Sequence, residues 1–442
     1  MSLKKKPSVA VIGAGLAGLT AAYRLEQKSM NPVIFEARDR PGGRVFTHYE
    51  GSSYEELGGK FLDDGGEALS LRALLQELAL DVATSNLLVT RLYYKDGKAL
   101  PTFALYENAP LPTEENYLAL VAKSKKSKSI LEVLEWFFAE HEDLLQHFVL
   151  RMTNYEGSPA EHLGVYCLDL FWKFYTWAYE DYQDKIKGLD TFVDLSFIKG
   201  GGSKLIEALC NKIKTPISYH SPLKKISLTS AGQIELEFAN ETKRSVDKVI
   251  LAIPSSTLRK IEIQDGLFPK DQLHAIQTLQ YGSVTKILVP VKLNSKEIPN
   301  FSSGVDFVTW FNEDNTWMTW YFGGNASHFN PKNSQELEKK IAASFKVIQV
   351  LYPNLEMRGK PVCINWTLES FSLGAYSNFG IDQHEPFTQI EEILGETVKK
   401  VFRPVANMIF FAGEHTGIEY HGTMEAAVHS GERAANMLAK SF

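Results

Sequence analysis

The chain has 442 residues, 44% of them apolar and 23% charged. That balance excludes general disorder and is enough for about two or three domains with full cores. A formal net charge of −6 argues against nucleic acid as the main partner, because phosphate contacts need a basic face. No apolar run is long enough to span a membrane. The basic start, Met1-Ser-Leu-Lys-Lys-Lys-Pro7, leads into a strand and a glycine loop and not into a signal-peptide core. Cys167, Cys210 and Cys363 lie far apart with no C-x-x-C pair. This spacing disfavours a disulfide framework or a zinc site and makes a reducing cytoplasm the expected compartment.

Val9-Ala-Val-Ile12 reads as a buried parallel strand cut off by glycine. Gly13-Ala-Gly15-Leu16-Ala17-Gly18 follows, then helical periodicity over Leu19–Leu25, then a second strand, Val33–Phe35, that ends at Glu36. In this strand, glycine-rich turn, helix, strand, acid pattern the first glycine permits the turn and the second admits a pyrophosphate. The third lets the helix pack on the strand. The helix start offers free N–H groups to phosphate, and Glu36 can accept a ribose diol while repelling a 2′-phosphate. The segment continues as Glu36-Ala37-Arg38-Asp-Arg-Pro-Gly42-Gly43-Arg44. Plain NAD dehydrogenases do not need such an extension, whereas an extended FAD needs further donors for its pyrophosphate.

Glu56-Leu57-Gly58-Gly59-Lys60-Phe61 and Lys199-Gly-Gly-Gly-Ser203, the latter before a helix over Lys204–Lys212, read as tight turns. Lys123-Ser-Lys-Lys-Ser-Lys128 reads as a solvated turn between helices and not as a nucleic-acid arm. Helices are expected around Leu131–Arg151 and Glu161–Tyr182. The second carries Phe171, Trp172, Phe174, Tyr175, Trp177 and Tyr179 on nearly all sides, which predicts burial between layers. Val246–Pro254 reads as a buried strand ending in proline, and Tyr281–Pro290 alternates around Lys286 in mid-strand. Val305–Phe311 and Trp317–Phe322 form an expected hairpin; spacing does not choose among Trp310, Trp317 and Trp320 for one or two places in a pocket. Met408–Ala412 is a buried strand ending at Gly413-Glu414-His415-Thr416. His421-Gly422-Thr423-Met424 then opens a helix whose Ala426, Ala427, Gly431, Ala434 and Ala435 allow another backbone to come close. Neither G-x-S-x-G nor H-E-x-x-H occurs, no dedicated base is apparent, and His415 and His421 read as loop supports.

Together these blocks, with Cys363–Trp366 and Leu373–Tyr376, resemble the flavin-containing amine oxidases over Val9 to about Ala439. That family takes in monoamine, polyamine and L-amino-acid oxidases and flavin histone demethylases. The resemblance implies an α/β fold: a Rossmann-like FAD-binding domain with a parallel sheet, from 7–80, 196–270 and 369–442. Interleaved with it is an α+β substrate domain with an antiparallel sheet, from 81–195 and 271–368. Gly13, Gly15, Leu16, Ala17, Gly18, Glu36, Ala37, Arg38, Gly43 and Arg44 would hold the nucleotide half of FAD. Gly58, Gly59, Lys60, Phe61, Leu223, Ala252, Pro254, Trp366, Gly413, Glu414, Gly422, Thr423, Met424 and Ala427 would surround the rest.

By the same resemblance the catalytic set is Lys286, Trp366, Tyr376 and Thr423. Lys286 matches a lysine holding a water at flavin N5, Trp366 a tryptophan against the flavin, and Tyr376 one ring of a substrate aromatic cage. The sequence departs from the monoamine oxidases twice. Ala375 stands where they attach flavin through cysteine, so FAD is expected to be noncovalent, and Thr423 replaces the second cage tyrosine. The implied reaction passes a hydride from the α-carbon of a small amine to flavin N5. Water then hydrolyses the imine to an aldehyde plus ammonia or an amine, and O2 reoxidises the flavin, giving H2O2. A flavin desaturase or protoporphyrinogen-oxidase-like enzyme, or a non-catalytic flavoprotein, is the alternative; Lys286 and Tyr376 argue against the desaturase. No metal, nucleic-acid or membrane partner is expected, and no hydrophobic tail follows Lys440. The amine, the cellular electron acceptor and the oligomeric state stay open, a homodimer being one option.

Overall fold

The computed structural model of the chain describes residues 7–62, 67–88, 92–189, 192–293 and 301–442. Its organising element is a five-stranded parallel sheet in the order Ile409–Phe411, Lys248–Leu251, Val9–Ile12, Val33–Phe35, Ile217–Ser218. The three strands Ile409–Phe411, Lys248–Leu251 and Val9–Ile12 are short runs buried on both faces, as a covered parallel sheet requires. The helix Leu16–Gln27 packs beside the helix Met424–Lys440, so the two ends of the chain share one hydrophobic core. Gly431 makes that contact, since a Cβ there would lie 2.4 Å from the Ala17 carbonyl oxygen.

A second, eight-stranded sheet centres on the long strand Val284–Leu293. That strand pairs antiparallel with Trp317–Gly323, which pairs in turn with Val308–Phe311. Val362–Asn365 and Leu355–Met357 complete its other edge. One face of this sheet buries Ile287, Val289, Met318, Trp320 and Phe322 in a core with the helix Ser334–Leu351. The opposite face, one residue out of phase, carries Lys286, Thr319, Tyr321 and Trp310. A separate four-stranded sheet, Lys243–Val246, Ile234–Phe238, Leu223–Leu228 and Glu262–Ile263, packs below the parallel sheet.

The expected helix over Leu131–Arg151 is two helices, Ile130–Phe137 and Glu142–Glu156. The turn Phe138–His141 separates them, and both bury one face in the same core, Val133 and Leu134 from the first and Leu144, Phe148 and Met152 from the second. The aromatic helix is Leu168–Ile186 and not Glu161–Tyr182. Before it, Leu163 and Gly164 run extended, bridging Gly380 and Ser129, with only short 3-10 turns on either side. Nor is this helix buried all round. Phe171 and Tyr175 are fully buried, but Trp177 is 50% exposed. Among the described residues no helix is long and apolar enough to cross a membrane.

Gly431→Ala should cost about 1–3 kcal/mol by forcing the two terminal helices apart. Denaturant unfolding measures this, and a variant as stable as the parent would show that the helices can separate without penalty.

Candidate functional site

A single cavity of about 1630 Å³ runs from the first glycine turn to the mixed sheet. Every residue named from the sequence for cofactor or catalysis lines it except Gly18. Gly18 acts behind the wall, where a Cβ would meet the Gly13 carbonyl oxygen at 1.9 Å. Gly13 adopts φ +99°, and a Cβ on it would press the Ala252 oxygen at 2.7 Å. Gly15 differs from both, because a Cβ there would meet no protein atom within 4 Å. As the N-cap of the helix Leu16–Gln27 it has no side chain to bond the first N–H groups, so the helix start faces the cavity without a side-chain cap.

Glu36 is buried beside this turn and accepts hydrogen bonds from Ala14 N (2.7 Å) and Arg38 N (2.9 Å). The Arg38 guanidinium donates to Ser372 Oγ at 2.8 Å. Ala252 and Pro254 follow the strand Lys248–Leu251 into the wall, and Leu223 closes it from the four-stranded sheet. This half fits a dinucleotide: an open glycine, an uncapped helix start and a buried ribose acceptor lie along one surface.

Arg44 turns inward and donates from Nη1 to Ala375 O (2.7 Å) and to Glu414 Oε1 (2.8 Å). Glu414 also accepts from Ser377 Oγ (2.6 Å), from Ser377 N (3.3 Å) and from Gly422 N (3.0 Å). Burial would raise this carboxyl. The Arg44 charge, the neighbouring His415 and the Ser377 bond outweigh it, and hold Glu414 down to about 2. His415 is buried against Phe402, and burial lowers it to about 3, so it is a neutral packing group. His421 lines the cavity and packs on Phe379.

At the other end Lys286 is 5% exposed, and its Nζ donates to Gly58 O (2.5 Å) and Glu56 O (3.2 Å). Burial lowers its proton affinity, while Glu55 and Glu56 pull the other way. Lys60 forms an ion pair with Glu55 at 2.6 Å. The Trp366 indole donates to Leu57 O at 3.0 Å, which fixes the ring beside the Gly58-Gly59 turn. The Tyr376 hydroxyl takes a 2.7 Å bond from Tyr321 and donates to Tyr155 O at 2.7 Å. Burial raises both phenols, so they stay neutral. The Thr423 hydroxyl donates to Tyr420 O (2.6 Å) and accepts from Ala426 N (3.2 Å). It is therefore a helix cap more than a cage wall.

Sequence reasoning missed Tyr321, Asn154, Tyr155 and Glu156, all of which line the cavity. Of the three open tryptophans, Trp310 lines it, with its ring centroid 5.7 Å from Lys286 Nζ. Trp320 lies in the sheet's opposite core, and Trp317 packs on His48. Alternation along Trp317–Phe322 puts Tyr321 on the same face as Thr319, but only the register that sets Tyr321 directly opposite Lys286 brings it to the cavity.

Residues 16–439 match the family of flavin containing amine oxidoreductases. The chain belongs to that family, which implies a flavin cofactor and an oxidoreductase. Among its relatives is lysine-specific histone demethylase 1 homolog 1 of Arabidopsis thaliana, 27% identical over 98% of this chain. The chain spans only 52% of that protein's length. A flavin-containing amine oxidase of Oncorhynchus mykiss is 25% identical, with 98% of this chain and 86% of the relative aligned. Solved structures share the fold. A single-site mutant of a putrescine oxidase, made in a redesign of its cofactor binding, has a TM-score of 0.74 at 17% identity, covering 97% of this chain and 98% of that one. Cyclohexylamine oxidase from Brevibacterium oxydans has a TM-score of 0.71 at 18% identity, covering 98% of each chain.

Two expectations follow. Gly15→Ala should leave the stability of the flavin-free protein within about 0.5 kcal/mol while weakening flavin retention tenfold or more, roughly. Fluorimetric titration of stripped protein reads this, and unchanged retention would move the phosphates away from Gly15. Arg44→Ala leaves Glu414 buried without its cation and should cost about 3–5 kcal/mol at pH 7. Because Glu414 sits near 2 against an ordinary 4.5, its contribution is complete above 4.5 and lost as pH falls toward 2. The penalty in denaturant melts should therefore shrink over that window, and a penalty independent of pH would assign it to packing.

Proposed function

We propose that the protein is a FAD-dependent oxidase of small amines. It releases an aldehyde together with ammonia or a smaller amine, and dioxygen is the electron acceptor and leaves as hydrogen peroxide. One observation carries this reading: a buried lysine, a fixed indole and a tied tyrosine pair share one cavity with a dinucleotide cradle. The names of the relatives, amine oxidase and putrescine and cyclohexylamine oxidase, support the same substrate class.

The adenine half of FAD would lie along Gly15, Glu36 and Arg38, and the ring system between Gly58-Gly59, Trp366, Lys286 and the Thr423-capped helix start. Bound there, the flavin supplies a two-electron acceptor for the carbon next to the amine nitrogen. The protein supplies the rest. Trp310, Trp366, Tyr321 and Tyr376 exclude water and disfavour an ammonium, so the reacting nitrogen is held neutral with its lone pair free. Tyr376 is positioned through its hydroxyl bonds, and its ring is the surface left for the substrate. Lys286 commits two N–H donors to the carbonyls of Glu56 and Gly58, and the third can hold a water or dioxygen. The helix Met424–Lys440 directs its positive end, capped by Thr423, at the cavity, where it favours negative charge that builds up during reduction.

The deciding experiment is the visible spectrum of the purified protein under anaerobic conditions, with arylalkyl monoamines, putrescine, spermidine and amino acids added in turn. One class should bleach the flavin bands. Bands that stay oxidised with every amine, but bleach with a cyclic apolar substrate, would move the protein to the desaturases. Lys286→Met should retain FAD and slow one half-reaction about 10²-fold in stopped-flow measurements; unchanged rates in both would remove Lys286 from the chemistry. With Ala375 in place of a cysteine, acid precipitation should release all the flavin into the supernatant. Flavin pelleting with the protein would show a covalent link.

A further inference from the structure

Glu156 is the last residue of the helix Glu142–Glu156 and lines the cavity at 5% exposure. Its main chain is clamped. The Glu156 carbonyl accepts from Asn378 Nδ2 at 2.7 Å, and a Cβ on Gly282 would fall 2.5 Å from the same oxygen. Its side chain is scarcely held. Tyr166 donates to Oε2 at 3.3 Å; among the described residues Oε1 has no donor, and no cation pairs with the carboxylate.

This is a poor place for an unpaired acid. The C-terminal end of a helix is electronegative, so the helix dipole gives the Glu156 charge no support. Burial pushes the carboxyl up to about 7, with only the Tyr166 hydroxyl opposing it. Nothing structural demands a charge, because a glutamine would serve Tyr166 equally well. A carboxylate, an electronegative helix end and aromatic walls together make a site for a cation.

Its position says which cation. Lys286 has Tyr321 as its cross-strand partner, Tyr321 bonds the Tyr376 hydroxyl at 2.7 Å, and that hydroxyl reaches the carbonyls of Asn154 (3.2 Å) and Tyr155 (2.7 Å), the two residues before Glu156. The tyrosine pair therefore links Lys286 to the helix end that carries Glu156. The nitrogen under oxidation has to be neutral, so it is not the natural partner of a carboxylate. We propose that Glu156 receives a second, positively charged nitrogen of the substrate, one that is not oxidised. The preferred substrate is then a diamine or another amine that carries a separate ammonium group. This rests on the amine-oxidase reading above.

The test uses the flavin-loaded full chain and its Glu156→Gln variant with 1,4-diaminobutane and 1-aminobutane. For the parent, half-maximal anaerobic flavin reduction should need about 30-fold less diamine than monoamine. Glu156→Gln should abolish that preference by weakening the diamine alone, leaving the monoamine within about threefold. Binding should show the same pattern without turnover, the diamine raising the melting temperature of the parent and not that of the variant. A variant that keeps the preference overturns the proposal. So does a parent that shows none across diamines of three to six carbons, a series that decides the question even if the variant does not fold. If no amine reduces the flavin, the amine-oxidase reading falls and this falls with it. If amines reduce it with no advantage from a second charge, only the role of Glu156 falls.

Discussion

The site depends on one buried carboxylate. Glu414 collects Arg44 from the first loop, both donors of Ser377 beside Tyr376, and the N–H of Gly422 just before the C-terminal helix. Each of those segments belongs to a different part of the sequence, and each carries a cavity residue. An anion in the interior is tolerable only when its lone pairs are filled, and this one is filled by the pieces that have to meet. Position and charge compensation are here the same interaction.

A second buried charge group borders the same cavity and is arranged differently. Lys286 and Lys60 share their surroundings with Glu55 and Glu56, and Lys60 also pairs with Glu313 at 3.5 Å. The Glu56 carboxylate is anchored by Gly202 N and Thr47 Oγ1, so its charge is held in the turn below the cavity floor. Burial pushes the Glu56 carboxyl up to about 7, against its bonds to Gly202 N and Thr47 Oγ1. Glu414, by contrast, is held ionised under all ordinary conditions.

Much of this was legible in the sequence because short-range chemistry dictates it. Gly13, Gly15 and Gly18 between a four-residue apolar strand and a helix allow few other structures, and Glu36 follows at the end of the next strand. The small residues of the last helix likewise announced a close backbone approach, which Gly431 makes on Ala17. What stayed hidden depends on register. Whether Trp310, Trp317 or Trp320 reaches the cavity is decided by which residue of Val284–Leu293 each strand opposes, and no single strand contains that information. Glu156 was invisible for a related reason. It ends a helix whose start is unmarked, since the turn at Phe138–His141 carries no glycine or proline and the helix Glu142–Glu156 has no side-chain cap. Thr423 shows the limit of reading roles from matched positions, because its hydroxyl is already committed to the helix it begins.

The order of the parallel sheet has a consequence for how the chain reaches this state. Its central strand, Val9–Ile12, lies between strands from about residues 33–35 and 248–251, and the strand at 409–411 joins only beyond the latter. The first helix therefore emerges from synthesis with an apolar face whose partner lies about four hundred positions downstream. Contacts of such long range form slowly, because the intervening chain has to be ordered before they are rewarded. Until then the cradle has no far wall, and the glycine turn stands open. Completion of the cavity is thus a late event in the life of each molecule, and a flavin captured at that moment would lock the two ends of the chain together.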